Sequence, residues 1–150
     1  MINKNAFALA LVGLLVAPAA SAGQPGHHSA RVYIISPADG ETVQNPVTVR
    51  FGLSGMGIAP AGVDKPGTGH HHLLVNAKTL PAMDQPIPSD DNHRHFGKGQ
   101  TETQLTLEPG QHTLQLILGD KNHIPVGEHL VSEKITITVQ GAPKPPTIGM

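Results

Sequence analysis

Three features of the sequence predict an all-β, immunoglobulin-like β-sandwich of about seven strands. Short runs rich in β-branched and apolar residues recur from residue 31 to residue 140. Turn signals separate them, drawn from 14 Pro and 17 Gly. No stretch sustains the 3.6-residue apolar period of an amphipathic helix.

Each segment has its own reason. Residues 1–22 are expected to be a secretory signal: Lys4 supplies a positive charge, Ala6 to Ala17 an apolar core, and Ala20-Ser21-Ala22 a small-x-small cleavage site. That core is too short to span a bilayer. The mature chain would begin near Gly23 and lie in the periplasm, with no membrane insertion after cleavage. Residues 23–30 (GQPGHHSA) read as a flexible lead-in to a sandwich domain at 31–140. RVYII (31–35) is β-branched and ends at the turn SPADG. VTVRFGL (47–53) alternates, with Val47, Val49, Phe51 and Leu53 inward and Thr48 and Arg50 outward.

SGMGIAPAGVDKPGTG (54–69) is a Gly/Pro loop, and HHLLV (71–75) is a strand. Residues 76–100 carry Pro81, Pro86 and Pro88 and show no period. Loops that long are uncommon unless they have a task or are disordered. TETQLTLE (101–108) and QHTLQLILG (111–119) flank the Pro109-Gly110 turn. DKNHIPVGE (120–128) is a loop, and HLVSEKITITVQ (129–140) holds one or two strands, beginning at His129. Residues 141–150 form a Pro-rich tail expected to be disordered.

Composition excludes several classes. The chain has no Cys, so any metal site must use His, Met, carboxylate or backbone ligands. After loss of Lys4, 9 basic residues face 11 acidic ones, which argues against nucleic acid as a partner. Aromatic residues are 3% of the chain, too few for stacking on bases or sugars. Histidine is in excess, with 10 residues.

The histidines carry a pattern. Alternate strand residues share a face, so His70 and His72 project together and His71 opposes them beside Leu73 and Val75. His93 and His95 repeat the His-x-His spacing in the long loop, and His123 lies in the loop after 111–119. Imidazoles brought to one pole of a sandwich can chelate a borderline metal. The expected ligands are His70, His72 and His95, completed by His123 or His71, with His93 a further candidate. Lys98, Gln100 and Glu102 are expected to orient the rings by hydrogen bonds. Copper tops the divalent affinity order for nitrogen ligands and is expected first, zinc second. Met56 and Met83 lie in flanking loops and offer thioether to Cu(I). Binding should weaken below about pH 6 as imidazoles protonate. His112 shares parity with Leu114 and Leu116 and reads as a hydrogen-bonding corner residue.

No enzyme signature is complete, so a catalyst is not expected. Gly52-Leu53-Ser54-Gly55-Met56 misses G-x-S-x-G at its last position, and no Gly-rich loop ends in G-K-[ST]. His70-x-His72 lacks the acid that a cupin metal motif places four or five residues later, since Asn76 and Ala77 stand there.

Four ordered motifs carry a family resemblance: GHHHLLV (69–75), HFGKGQTE (95–102), L-x-P-G-x-H-T-L-Q-L (107–116) and GD-x-x-H-x-P (119–125). In that order they resemble a family of small exported bacterial proteins known as a domain of unknown function. Its members are sometimes labelled rod-shape-determining, a label no residue here supports. The resemblance covers about residues 32–139 and implies a periplasmic β-sandwich without assigned activity. It marks His70, His71, His72, His95, Phe96, Gly97, Gly99, Gln100, Thr101, Glu102, His112, Gly119, Asp120 and His123 as motif residues. The chain departs from the pattern near Pro125, where a further His is expected and Val126 stands. SPADG followed by P-V-x-V-x-F also looks like the opening of periplasmic copper-resistance β-sandwich proteins.

Two functional expectations follow. One is a periplasmic metal carrier or buffer. The other is a non-enzymatic envelope module that binds a protein or cell-wall partner, with structural histidines.

Overall fold

A computed structural model describes residues 29–141. The expected signal, the lead-in up to residue 28 and the tail from residue 142 lie outside the described residues. Between them are nine strands: β1 (Arg31–Ser36), β2 (Thr42–Val43), β3 (Val47–Ser54), β4 (Gly57–Ile58), β5 (Thr68–Val75), β6 (His93–His95), β7 (Glu102–Leu105), β8 (Gly110–Gly119) and β9 (Ile135–Val139). The fold is the expected all-β, immunoglobulin-like sandwich. One sheet has the order β1-β3-β7. The other has the order β2-β9-β8-β5-β4, with β6 also paired to β5. Among the described residues no helix is long and apolar enough to cross a membrane.

The strand count exceeds seven because β2, β4 and β6 have only two or three residues. Such elements are too short to display an alternation that a sequence reader can recognise. A second difference lies at His129. It belongs to a single 3-10 turn, Glu128–Leu130, and not to a strand start. That turn buries Leu130, and the chain re-enters the sheet only at Ile135.

Alternation builds the core as expected. Val47, Val49 and Phe51 of the first sheet face Leu73, Val75, Leu114, Leu116, Ile137 and Val139 of the second, all buried. The L-x-P-G-x-H corner carries the chain from β7 in one sheet to β8 in the other. His112 pins it, one ring nitrogen 2.7 Å from the Glu108 carbonyl and the other 2.9 Å from the Asn76 side-chain amide.

The second sheet is covered on its outer face too. Every residue of β5 from Gly69 to Val75 is buried. A strand buried on both faces reads as an unbroken buried run, which accounts for HHHLLV. The 76–92 loop does the covering. Asn92 ties its return to β5: the Val75 N–H donates to the Asn92 carbonyl at 2.9 Å, and the Asn92 amide donates to the Val75 carbonyl at 2.7 Å. Ile87 packs on Leu74 and Ile117, and its N–H donates to the His123 carbonyl at 2.9 Å.

Candidate metal centre

The register of three strands places the histidines. In the β5–β8 pair His70 stands opposite Gly119, His71 opposite Leu118 and His72 opposite Ile117. In the β5–β6 pair His72 stands opposite His95 and Leu74 opposite His93. Directly opposed residues share a face. The outer face of this sheet therefore carries His70, His72, His95 and Gly119 in one patch.

His123 reaches the same patch from the loop after β8. It sits in the left-handed region at φ 67°. Asp120 makes that turn: its Oδ1 accepts the N–H groups of Asn122 (2.8 Å) and Ile124 (2.9 Å), and its carbonyl accepts the His123 N–H at 2.9 Å. A carboxylate holding successive backbone donors is a stable way to fix such a bend.

The four imidazoles form one cluster. Ring centroids are 4.8 Å apart for His70–His72, 5.1 Å for His70–His95 and 5.1 Å for His70–His123. They are 5.1 Å for His72–His95, 5.9 Å for His72–His123 and 4.7 Å for His95–His123. One ligand nitrogen from each of His70, His72 and His95 lies within 4.8 Å of the others. Nε2 of His70 and Nε2 of His72 are 3.0 Å apart. Two imidazole nitrogens on one tetrahedral ion, each about 2.0–2.1 Å from it, would stand roughly 3.3–3.4 Å apart. That pair needs only a few tenths of an ångström of relaxation to meet the spacing.

Glycines make the room. A Cβ at Gly119 would fall 2.8 Å from His72 Nε2, and a Cβ at Gly97 would collide with the Cε1 and Nε2 atoms of His95. Gly119 and Gly97 belong to the GD-x-x-H and HFGKG motifs, and their place in the sequence carried this signal without its meaning. Asp120 is a further residue whose role sequence reasoning left open.

Electrostatics keeps the rings neutral. Burial pulls the His70 pKa down to about 4, and His95 and His123 lower it further while Asp120 opposes them. Burial, then His70, His95 and His123, pulls His72 down to about 3. His95 is also lowered, by burial first and by His123 next. Neutral imidazoles at His70, His72 and His95 offer lone pairs with little proton competition, which is the state a borderline metal requires.

Burial is uneven across the set. His70 is 0% and His72 1% exposed. His123 is half-buried and His95 is exposed.

Other expected site residues lie elsewhere. His71 points to the opposite face, into the core, with its ring centroid 5.2 Å from that of Phe51. Strand parity separates it from His70 and His72, so it is not a ligand of this cluster. Neither of its nitrogens reaches hydrogen-bond geometry, and burial holds its pKa below the ordinary histidine value, opposed only in part by the nearby peptide groups of Gln100 and Gly52. His93 shares the outer face but stands one strand repeat from His95, about 6.8 Å along. Its Nδ1 binds Asp90 Oδ1 at 2.8 Å and braces the turn into β6.

The three expected ring-orienting residues do not orient rings. Gln100 Oε1 accepts the Lys98 N–H at 2.8 Å. Glu102 pairs with Arg50 at 2.6 Å on the first sheet. From Gly97 onward the chain is crossing between sheets, which carries these side chains away from the cluster. Among the described residues His70 Nδ1 and His72 Nδ1 have no protein hydrogen-bond partner.

The placement of His71 gives a direct prediction. His71→Leu is expected to be neutral or stabilising, because an unpartnered buried imidazole costs about 1–3 kcal/mol. Metal stoichiometry should stay unchanged. A thermal melt and a titration on the same sample read both, and loss of metal binding would return His71 to the ligand set.

Fold and site together define a β-sandwich with a histidine cluster on the loop-covered face of its larger sheet. The chain belongs to the DUF4399 family, a domain of unknown function, whose family model matches residues 49–140 and so spans all four clustered histidines. No curated protein matches the chain. In structure it is similar to the PKD domain (329-428) from human KIAA0319, at 14% sequence identity and a TM-score of 0.35, covering 87% of this chain and 100% of that one. A likeness of that size adds nothing to the architecture already described.

Proposed function

We propose that this is a periplasmic transition-metal-binding protein, a carrier or buffer and not a catalyst, with copper preferred over zinc. The observation that carries the reading is the mutual approach of four imidazoles, with all six centroid separations between 4.7 and 5.9 Å. Imidazole-only sites favour copper, zinc, nickel and iron over oxygen-loving ions, and copper leads the divalent order. His70, His72 and His95 bring a nitrogen each within 4.8 Å of one another, and His123 beside them would complete a tetrahedral ion, whereas catalytic sites keep a position open. The absence of Cys suits an oxidising compartment, because nothing in the site can be lost to disulfide formation. The signal-like residues 1–22 support export.

A second reading treats the protein as an envelope module that binds a protein partner. It draws on the direct His70–His72 contact, which can serve as a strut without metal.

One experiment separates them. Metal-stripped protein is titrated calorimetrically with Cu(II), Cu(I) and Zn(II), beside a His70→Ala/His72→Ala variant. The metal reading expects one ion per chain, bound tightly by the parent and at least 100-fold more weakly by the variant. Weak binding that the substitutions leave unchanged would sink it and favour the module.

A further inference from the structure

The four ligands are not equivalent, and the difference bears on how metal would leave. His70 and His72 lie on β5, between β8 on one side and β4 and β6 on the other, and both are buried. The His70 and His72 rings pack on each other and on His123, and Gly119 lies against the His72 ring. His123 is half-buried, and its backbone is held by the Asp120 turn.

His95 has neither restraint. It is the last residue of a three-residue edge strand and is exposed to solvent. Its ring folds back over Gly97, so bare backbone stands where a side chain would otherwise wall it in. Opposite this point the 59–62 loop reaches in: the Ala61 N–H donates to the Gly97 carbonyl at 2.9 Å and the Gly62 N–H to the Lys121 carbonyl at 3.0 Å. That loop borders the His95 side of the cluster and leaves the ring itself open.

Resting on the metal reading above, we infer that His95 is the exchange ligand, the one that an incoming acceptor displaces while His70 and His72 still hold the ion. The acceptor is a donor of imidazole, thioether or thiolate chemistry arriving on the His95 side. Its donor atom forms a bond to the metal as the His95 nitrogen–metal bond breaks. His95 departs as neutral imidazole, and no electrons are transferred. The remaining ligands then leave in turn. This makes the protein a carrier that hands metal on, since a pure buffer would have no need of one exposed ligand among three sheltered ones.

The test uses the full chain loaded with one equivalent of Cu(II), and with Zn(II) in parallel. Transfer to the chromophoric chelator 4-(2-pyridylazo)resorcinol is followed by stopped flow. His95→Ala opens the exchange position permanently, so transfer should accelerate at least 10-fold while one ion per chain is still bound. Electron paramagnetic resonance of the Cu(II) form should lose one coordinated nitrogen. Gly97→Ala keeps every ligand but places a methyl against the His95 ring, and should reproduce the faster transfer. Transfer rates of both variants within twofold of the parent would overturn the exchange role while leaving the metal reading intact. A parent chain that takes up neither ion overturns both.

Discussion

Gly119→Ala is expected to abolish tight metal binding although it alters no ligand. Gly119 stands opposite His70 on the face that carries the cluster. The added methyl would lie 2.8 Å from His72 Nε2, 3.0 Å from His72 Cδ2 and 3.5 Å from the His123 Cα. Ordinary carbon–nitrogen contacts are several tenths of an ångström longer, so something must shift. The His72 ring has little freedom to do so. It is 1% exposed, and its neighbours across the pairing are Ile117 and His95.

The displaced Nε2 is the atom that approaches His70, so the ligand spacing is lost along with the room. Overpacking at such a site typically costs about 1–3 kcal/mol of stability. A loss of affinity of at least 100-fold, or about 2.7 kcal/mol, is expected in the same calorimetric titration. The fold should survive, as judged by far-UV circular dichroism and a melt. One ion per chain bound within a few fold of the parent would show that Gly119 is not part of the centre.

The position of Gly119 explains how much of the site was legible. Alternation placed Val47, Val49 and Phe51 correctly, and it assigned His70 and His72 to one face and His71 to the other. A period of two is a local property, so sequence displays it. The pairing partners of β5 are not local. Only the register with β8 reveals that residue 119 faces His70 and must lack a side chain.

The same holds for the His-x-His pair at 93 and 95. The two share spacing and face, yet one meets His72 and the other meets Leu74 and binds Asp90. Lys98, Gln100 and Glu102 were misplaced for a topological reason, because the chain changes sheets between β6 and β7. Proximity in sequence to His95 was mistaken for proximity in space. The 76–100 segment hid β6, since three residues paired to a central strand leave no pattern of their own.

Metal-free protein is expected to lose stability steeply as pH falls from about 6.5 to about 4. His70 and His72 both have folded-state pKa values depressed below the unfolded 6.5, to about 4 and about 3. Above pH 6.5 both states hold these rings neutral, and the full contribution is present. Between 6.5 and 4 the unfolded chain binds protons that the folded chain refuses, so unfolding gains. Below about 3 both states are protonated and the contribution is gone.

The His70 shift alone, from 6.5 to about 4, corresponds to roughly 3 kcal/mol. That is a large share of the ~5–15 kcal/mol that holds a domain folded. Urea midpoints at pH 7.5, 6, 5 and 4.5 would measure it, and His70→Gln/His72→Gln should flatten the profile. A flat profile in the parent would mean that the rings are hydrated and not clustered. The same depression bears on metal retention. Protons do not compete for His70 or His72 until well below pH 6, so loaded protein should hold its ion in stronger acid than free imidazole could tolerate. Bound metal stabilises the folded state alone by mass action. The stability difference between loaded and stripped protein should therefore persist at pH 5.5 and vanish only near the pKa values of the buried pair. Loss of that difference already at pH 6 would place the controlling proton on an exposed ligand.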